Sequence, residues 1–179
     1  MKHYDFAQKF HAIYDKAVGL YAKGRRGADT FFSKDETAWL AANGLSAQHL
    51  YDYAEDQAGY GEPGADNAVA IESVRRDYFL NVQNGRASTT IIDADHMPAK
   101  DETVRGIEWL PRLIPKAQAK LRGELPASLM YCCGGDRKFF KTRDIMPAEF
   151  LAVVARHEKD DAAIVDWVVR RSAAAKSAA

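Results

Sequence analysis

Apolar residues recur along most of this chain at helical spacing. Phe6, Phe10, Ile13, Ala17 and Leu20 step by three and four and predict a helix over 2–23. The glycines of KGRRGADT stop it. Ser33 with Glu36 three positions on has the form of a capping box. Trp39 and Leu40 give the short helix after it an apolar side, and Asn43-Gly44 ends it as a left-handed cap does. Ser46 is the next N-cap, ahead of Leu50, Tyr53 and Ala54. GYGEPG is a turn cluster. Ile71, Val74, Tyr78 and Val82 share one face of a long helix predicted over about 66–84, which Gly85 closes.

The period then disappears. RASTTIIDADHMPAKDETVRG predicts an irregular connection over 86–103, in which Ile91-Ile92 forms a short strand or fills a core crevice. Helical spacing returns with Ile107, Leu110, Ile114, Ala117 and Leu121. Proline costs about 3 kcal/mol inside a helix but suits the first turn. Pro111 and Pro115 therefore predict a regular helix over 112–122, with Pro115 in its first turn. A helical turn near 137–141 precedes two amphipathic helices, over 147–157 (Phe150, Leu151, Val154) and 160–171 (Ile164, Trp167, Val168). Asp160 and Asp161 favour the N-terminus of the second. The tail SAAAKSAA has nothing large to bury and is expected to fray.

The expectation is an all-α or nearly all-α fold: a compact bundle of about six to eight amphipathic helices with at most a minor strand. An N-terminal region (1–85), the connection (86–103) and a C-terminal region (104–172) are expected to pack as one globular unit, with 173–179 as a tail. Trp39, Leu110, Leu121, Phe150 and Trp167 are expected to be buried.

Composition narrows the function classes. With 47% hydrophobic and 28% charged residues, the chain has ordinary globular composition and can build a core. Its 25 basic residues balance 25 acidic ones. The basic surplus of a nucleic-acid binder is missing, so no nucleic-acid partner is expected. No run of about 18 apolar residues exists to cross a membrane. MKHYDFAQKF lacks the continuous apolar stretch of a secretory signal. Two cysteines are too few for a disulfide scaffold. A cytoplasmic location is expected.

The second half resembles an uncharacterised bacterial family, domain of unknown function 5069. The residues that carry the likeness are GIEWLPRLIPKAQAKLRGELP, MYCCGGDRKFF and AEFLAVVA followed by DDAAIVDWV, within about residues 104–170. The pattern is Leu-Pro-Arg opening a Lys/Arg/Ala-rich helix, then Tyr-x-Cys-x-x-Asp, then Phe-Leu and a final Trp-Val. Upstream, AANGLSAQHLYDYAED, YGEP and RRDYFL are also similar to longer relatives. Shorter members carry proline after the cysteine, where this chain has Gly134. The resemblance implies a family and no activity.

The densest candidate chemistry is CCGGDR. A thiol acts as a nucleophile in its thiolate form, which a cation or a helix N-terminus favours. Cys133, Asp136 and Arg137 are the catalytic candidates. Asp136 is placed to cap the following turn, and Arg137 to pair with a carboxylate or phosphate. Tyr131, Gly134, Gly135 and Arg112 are the ligand-binding candidates. In an extended segment Cys132 and Cys133 point to opposite sides. With Gly134-Gly135 reversing the chain, Cys133 is the candidate for ligand contact and Cys132 the core filler. Plain packing is the alternative, since free cysteines pack as small hydrophobes and Gly-Gly-Asp is ordinary turn chemistry.

His49, Asp52 and Asp56 fall near one helix face and form a weaker metal-binding alternative. A solvated acidic face that includes Glu55, partly neutralised by Arg75 and Arg76, explains the same residues. His96 in DADHMP suits a surface loop. No Cys-x-x-Cys, phosphate-binding glycine loop, His-Glu-x-x-His or Gly-x-Ser-x-Gly is present, so no cofactor is expected. Two functions remain open: a binding module for a small molecule or protein partner, and a thiol- or carboxylate-dependent enzyme built on the CCGGDR turn.

Overall fold

The computed structural model describes residues 3–178, with side chains to residue 174. Among these residues the chain forms eight α-helices, two single-turn 3-10 helices and one two-stranded hairpin. It is the mostly helical fold that the spacing predicts. Contacts cluster into two compact units, Met1–Ala87 and Ser88–Ala179.

The first unit holds α1 (Phe6–Ala22), α2 (Lys34–Ala42), α3 (Ala47–Tyr60) and α4 (Ala65–Asn81), with α1 packed on α3 and α4. Both predicted N-caps form. Ser33 Oγ accepts from Glu36 N at 3.3 Å while Glu36 Oε2 accepts from Ser33 N at 2.7 Å. At Ser46 the reciprocal partner is His49, whose Nδ1 accepts from Ser46 N at 3.4 Å. Gly44 has φ +75°, and a Cβ there would lie 2.5 Å from Phe79 Cγ, so the turn after α2 needs glycine for both conformation and space. Phe10, Ile13, Ala17, Leu40, Leu50, Tyr53 and Ile71 are buried, forming the core.

Two expectations change in this unit. Val82 is exposed, because α4 ends at Asn81; Ile71 and Tyr78 of the expected face are buried, joined by Ala68, Glu72, Arg75 and Phe79. The buried charges are held by hydrogen bonds: Tyr53 Oη donates to Glu72 Oε1 at 2.8 Å, and Arg75 Nη1 to Gln83 Oε1 at 2.9 Å. Trp39 is only half-buried; it stacks on Phe6 and carries Lys9 over its outer face, so a charged stem covers what the core does not.

The second unit begins with an irregular segment that Glu124 ties down. Its backbone carbonyl accepts from Ile92 N at 2.9 Å and its carboxylate from Ser88 Oγ at 2.8 Å. Ile91 lies outside the core and is exposed. The minor strand forms later in the chain, as an antiparallel hairpin of β1 (Thr103–Val104) and β2 (Ile107–Glu108). Arg105 and Gly106 both have positive φ at its tip, as a two-residue turn joining twisted strands requires. Then come α5 (Leu110–Arg122), α6 (Gly134–Lys141), α7 (Pro147–Arg156) and α8 (Asp161–Ala178). The helix α5 packs on α7 and α8. Leu110, Leu113, Leu121, Phe140, Phe150, Leu151, Val154, Ile164 and Val168 are buried.

Here α5 starts two residues earlier than proline placement predicts, so Pro115 sits inside the helix and the Pro111 carbonyl loses its usual donor. Trp167 is half-buried, with Ile164, Val165 and Val168 taking the inner face of α8. That helix continues past the expected end near 171 to Ala178, and Ala179 lies outside the described residues. Among the described residues no helix is long and apolar enough to cross a membrane.

Candidate functional site

The site is built where the chain enters α6. Cys132 is non-glycine yet has φ +70°, so the reversal falls on it, and Gly134 and Gly135 lie in the first turn of the helix. This corrects the expected extended segment turning at the glycine pair. Holding such a residue left-handed costs about 1–3 kcal/mol, which the surroundings must offset. Asp136 and Arg137 do so. Asp136 Oδ2 accepts from Cys132 N at 2.9 Å, and Arg137 Nη1 donates to the Cys132 carbonyl at 2.8 Å. A second left-handed residue stands opposite: Trp109, φ +73°, at the start of α5. Its indole Nε1 donates to Asp136 Oδ1 at 2.9 Å. Gly135 lets that ring in, since a Cβ there would lie 2.4 Å from Trp109 Cζ2.

Lys116 completes the cluster. It is 2% exposed on the inner face of α5, and its Nζ donates to Asp136 Oδ2 at 2.8 Å and to Cys133 Sγ at 3.2 Å. Burial presses the lysine pKa down, but the Asp136 carboxylate and the Cys133 sulfur outweigh it and hold the value raised. Lys116 is therefore a fixed ammonium. Asp136, fully buried, takes hydrogen bonds from the indole, the ammonium and a backbone N–H. Cys133 is the N-cap residue of α6 and is half-buried, while Cys132 is fully buried; neither forms a disulfide.

The structure thus joins Cys133, Asp136 and Gly135 to Lys116 and Trp109. Asp136 sits at the third helical position, where it serves three donors, and does not cap the turn as expected. Arg137 is buried against the Cys132 carbonyl, so it braces the corner instead of facing a ligand. Tyr131 is buried, and its hydroxyl donates to the Pro147 carbonyl at 2.8 Å. Burial, with Cys132 and Asp136 nearby, pushes its pKa well up, so it remains a neutral donor. Arg112 reaches the other way and ties down the Pro98 carbonyl at 2.8 Å. Gly134 is exposed beside Arg137.

Lys116 and Trp109 are the residues that sequence reasoning missed. A signal for Lys116 exists: it falls one turn after Leu113 on the apolar stripe of α5, where a cation has no reason to be without a buried partner.

The weaker candidates separate. His49 is turned back onto its own helix N-terminus, and Asp52 accepts from Gln48 Nε2 at 2.6 Å. Glu55 accepts from Tyr21 Oη at 2.9 Å, and Arg26 stacks on that tyrosine at 3.7 Å. Arg76 Nε donates to Asn43 Oδ1 at 2.6 Å. Among the described residues no group of three or more His, Cys, Asp or Glu is placed to hold a metal ion. His96 is exposed, bonded through Nδ1 to Asp93 Oδ2 at 2.7 Å.

The small helical unit thus places a cysteine at a helix N-cap against a buried ammonium. The family model described as Domain of unknown function (DUF5069) matches residues 94–179, which include every residue of this site. The C-terminal part of the chain is thus similar to that family over 86 of its 179 residues. The chain matches no curated protein and no solved structure.

Proposed function

We propose that this domain is a thiol-dependent enzyme that takes an electrophilic group from a small molecule onto Cys133 Sγ. The observation that carries the reading is the Lys116 ammonium, buried and 3.2 Å from that sulfur. A cation in this position favours the charged, nucleophilic form of a thiol. The raised lysine pKa makes Lys116 an electrostatic partner and not a base. Asp136 fixes the ammonium, and its three donors leave it to position Lys116 instead of moving protons. The thiol proton leaves to solvent on the half-exposed side of Cys133. Two cysteines without a disulfide support a reducing compartment, and the family resemblance supports a bacterial cytoplasm.

The test uses an activated ester, p-nitrophenyl acetate, as the electrophile. The thiolate attacks the ester carbonyl, the bond to p-nitrophenolate breaks and the acetyl group is expected on Cys133 by mass spectrometry; water then hydrolyses the thioester to acetate and frees the thiol, so p-nitrophenol is released over repeated turnovers. Cys133→Ser should abolish both signals, and Cys132→Ser should leave them. Equal inertness of the two thiols in the folded protein would contradict the reading and leave the corner structural.

A further inference from the structure

The outer side of the Trp109 indole borders a second feature. A cleft of about 260 Å³ lies between β2 and α6, walled by Glu108, Trp109, Gly135, Lys138, Phe139 and Arg143. Its aromatic surface is fixed in place: Gly135 seats the indole, and the Trp109–Asp136 hydrogen bond locks the ring's rotation. Its charge is only partly matched. Arg143 is half-buried, with its guanidinium stacked 4.2 Å from the Phe139 ring centre. Only Nη1 is used, on the Phe139 carbonyl at 3.4 Å and Thr142 Oγ1 at 3.0 Å. Among the described residues Nε and Nη2 make no hydrogen bond, and neither Arg143 nor Lys138 has an ion pair. Burial lowers the Arg143 pKa, and Glu108 offsets this only in part, as befits a partly desolvated cation without a contacting anion.

We infer that this cleft binds a small carboxylate with a flat apolar body, its carboxylate on the free edge of Arg143 and on Lys138, its body against Trp109. The planar guanidinium fork matches a carboxylate in two-point contact, and its stacking on Phe139 fixes the fork's plane. Two cations and the Glu108 carboxylate leave the walls with one net positive charge, which suits a monoanion over a phosphate dianion. The volume accommodates a molecule of single-ring size, below the range of about 300–1,000 Å³ usual for drug-sized ligands. Arg143, Lys138 and Phe139 lie outside the Cys133 site and share with it only Trp109 and Gly135, so the inference does not depend on the chemistry of Cys133.

The test is a titration of the full, isotope-labelled chain with benzoate, followed by NMR. Trp109→Phe assigns the Trp109 indole N–H signal. Benzoate is expected to move that signal and the Gly135 amide saturably. Arg143→Gln should weaken binding by about tenfold or more, Lys138→Gln by a few-fold, and Glu108→Gln should strengthen it by removing the opposing charge. Benzamide, the same shape without the charge, should move neither signal. The inference is overturned if benzoate leaves both signals in place at about 20 mM, a generous concentration for a ligand this small. Equal binding of benzamide, or unchanged affinity in a folded Arg143→Gln, overturns it as well. Tighter binding of phenyl phosphate than of benzoate would replace the carboxylate assignment with a phosphate one.

Discussion

Each unit holds a lysine–carboxylate pair twenty residues apart in the chain, and the two behave as opposites. In the first, Lys16 Nζ meets Glu36 Oε2 at 2.6 Å on the surface, the side chains 40% and 25% exposed. In the second, Lys116 Nζ meets Asp136 Oδ2 at 2.8 Å with the side chains 3% and 0% exposed. The contact distances are nearly equal, so distance does not separate them. Solvent does. Water screens the first pair and would solvate either partner if the other were removed. Nothing replaces the partner of the second, and the buried carboxylate also holds a backbone N–H and an indole. The surface pair decorates a helix cap; the buried pair organises a corner and aims a charge at a thiol.

The largest expected effect is therefore in the second unit. Asp136→Ala should cost about 3–5 kcal/mol in denaturant unfolding, because it strands the Lys116 ammonium. A loss below about 1 kcal/mol, the range of exposed pairs, would erase the distinction. A double-mutant cycle sharpens it. Lys116→Met with Asp136→Asn should show a coupling of about 2–3 kcal/mol, the upper part of the range for contacting residues. Lys16→Met with Glu36→Gln should show about 0.5 kcal/mol or less.

The two pairs should also respond to opposite ends of the pH scale. The Lys116 pKa is raised from 10.5, so its contribution is complete below that value and is lost as pH rises through the higher folded value. Thermal unfolding above pH 10.5 should fall more steeply in wild type than in Lys116→Met. The Glu36 pKa is lowered from 4.5, chiefly by the hydrogen bond from Lys16. Its contribution is complete above 4.5 and is lost as pH falls through the lower folded value, and the acid limb should flatten in Glu36→Gln. The smallest effect is Lys16→Ala near neutral pH, about 0.2–1 kcal/mol, measured by thermal unfolding.

What the sequence made legible follows the same division between local and non-local causes. The Ser33 cap, the turn at Gly44 and the buried Phe10, Leu110 and Phe150 depend on spacing within one helix, and all were readable. The hairpin at 103–108 was not, because two-residue strands carry no alternating pattern to detect. Ile71 and Tyr78 on the expected face of α4 are buried, but Glu72 and Arg75 join them and Val82 does not, since hydropathy alone does not report a hydrogen bond from Tyr53. At the site, Cys133 and Asp136 stood out by their turn chemistry. Their partners Lys116 and Trp109 lie on another element, and only tertiary packing brings them across. Arg137 and Tyr131 were visible as chemical groups, but burial turns them to support.

The central claim is that Lys116 acts on the Cys133 sulfur, and one rate tests it most directly. Cys133 carbamidomethylation by iodoacetamide at pH 7 is followed by mass spectrometry in wild type and in Lys116→Met, with circular dichroism confirming that both are folded. The account predicts that Cys133 reacts while Cys132 stays protected, and that losing the ammonium slows Cys133 by about tenfold or more. Equal Cys133 rates in the two folded proteins would contradict it.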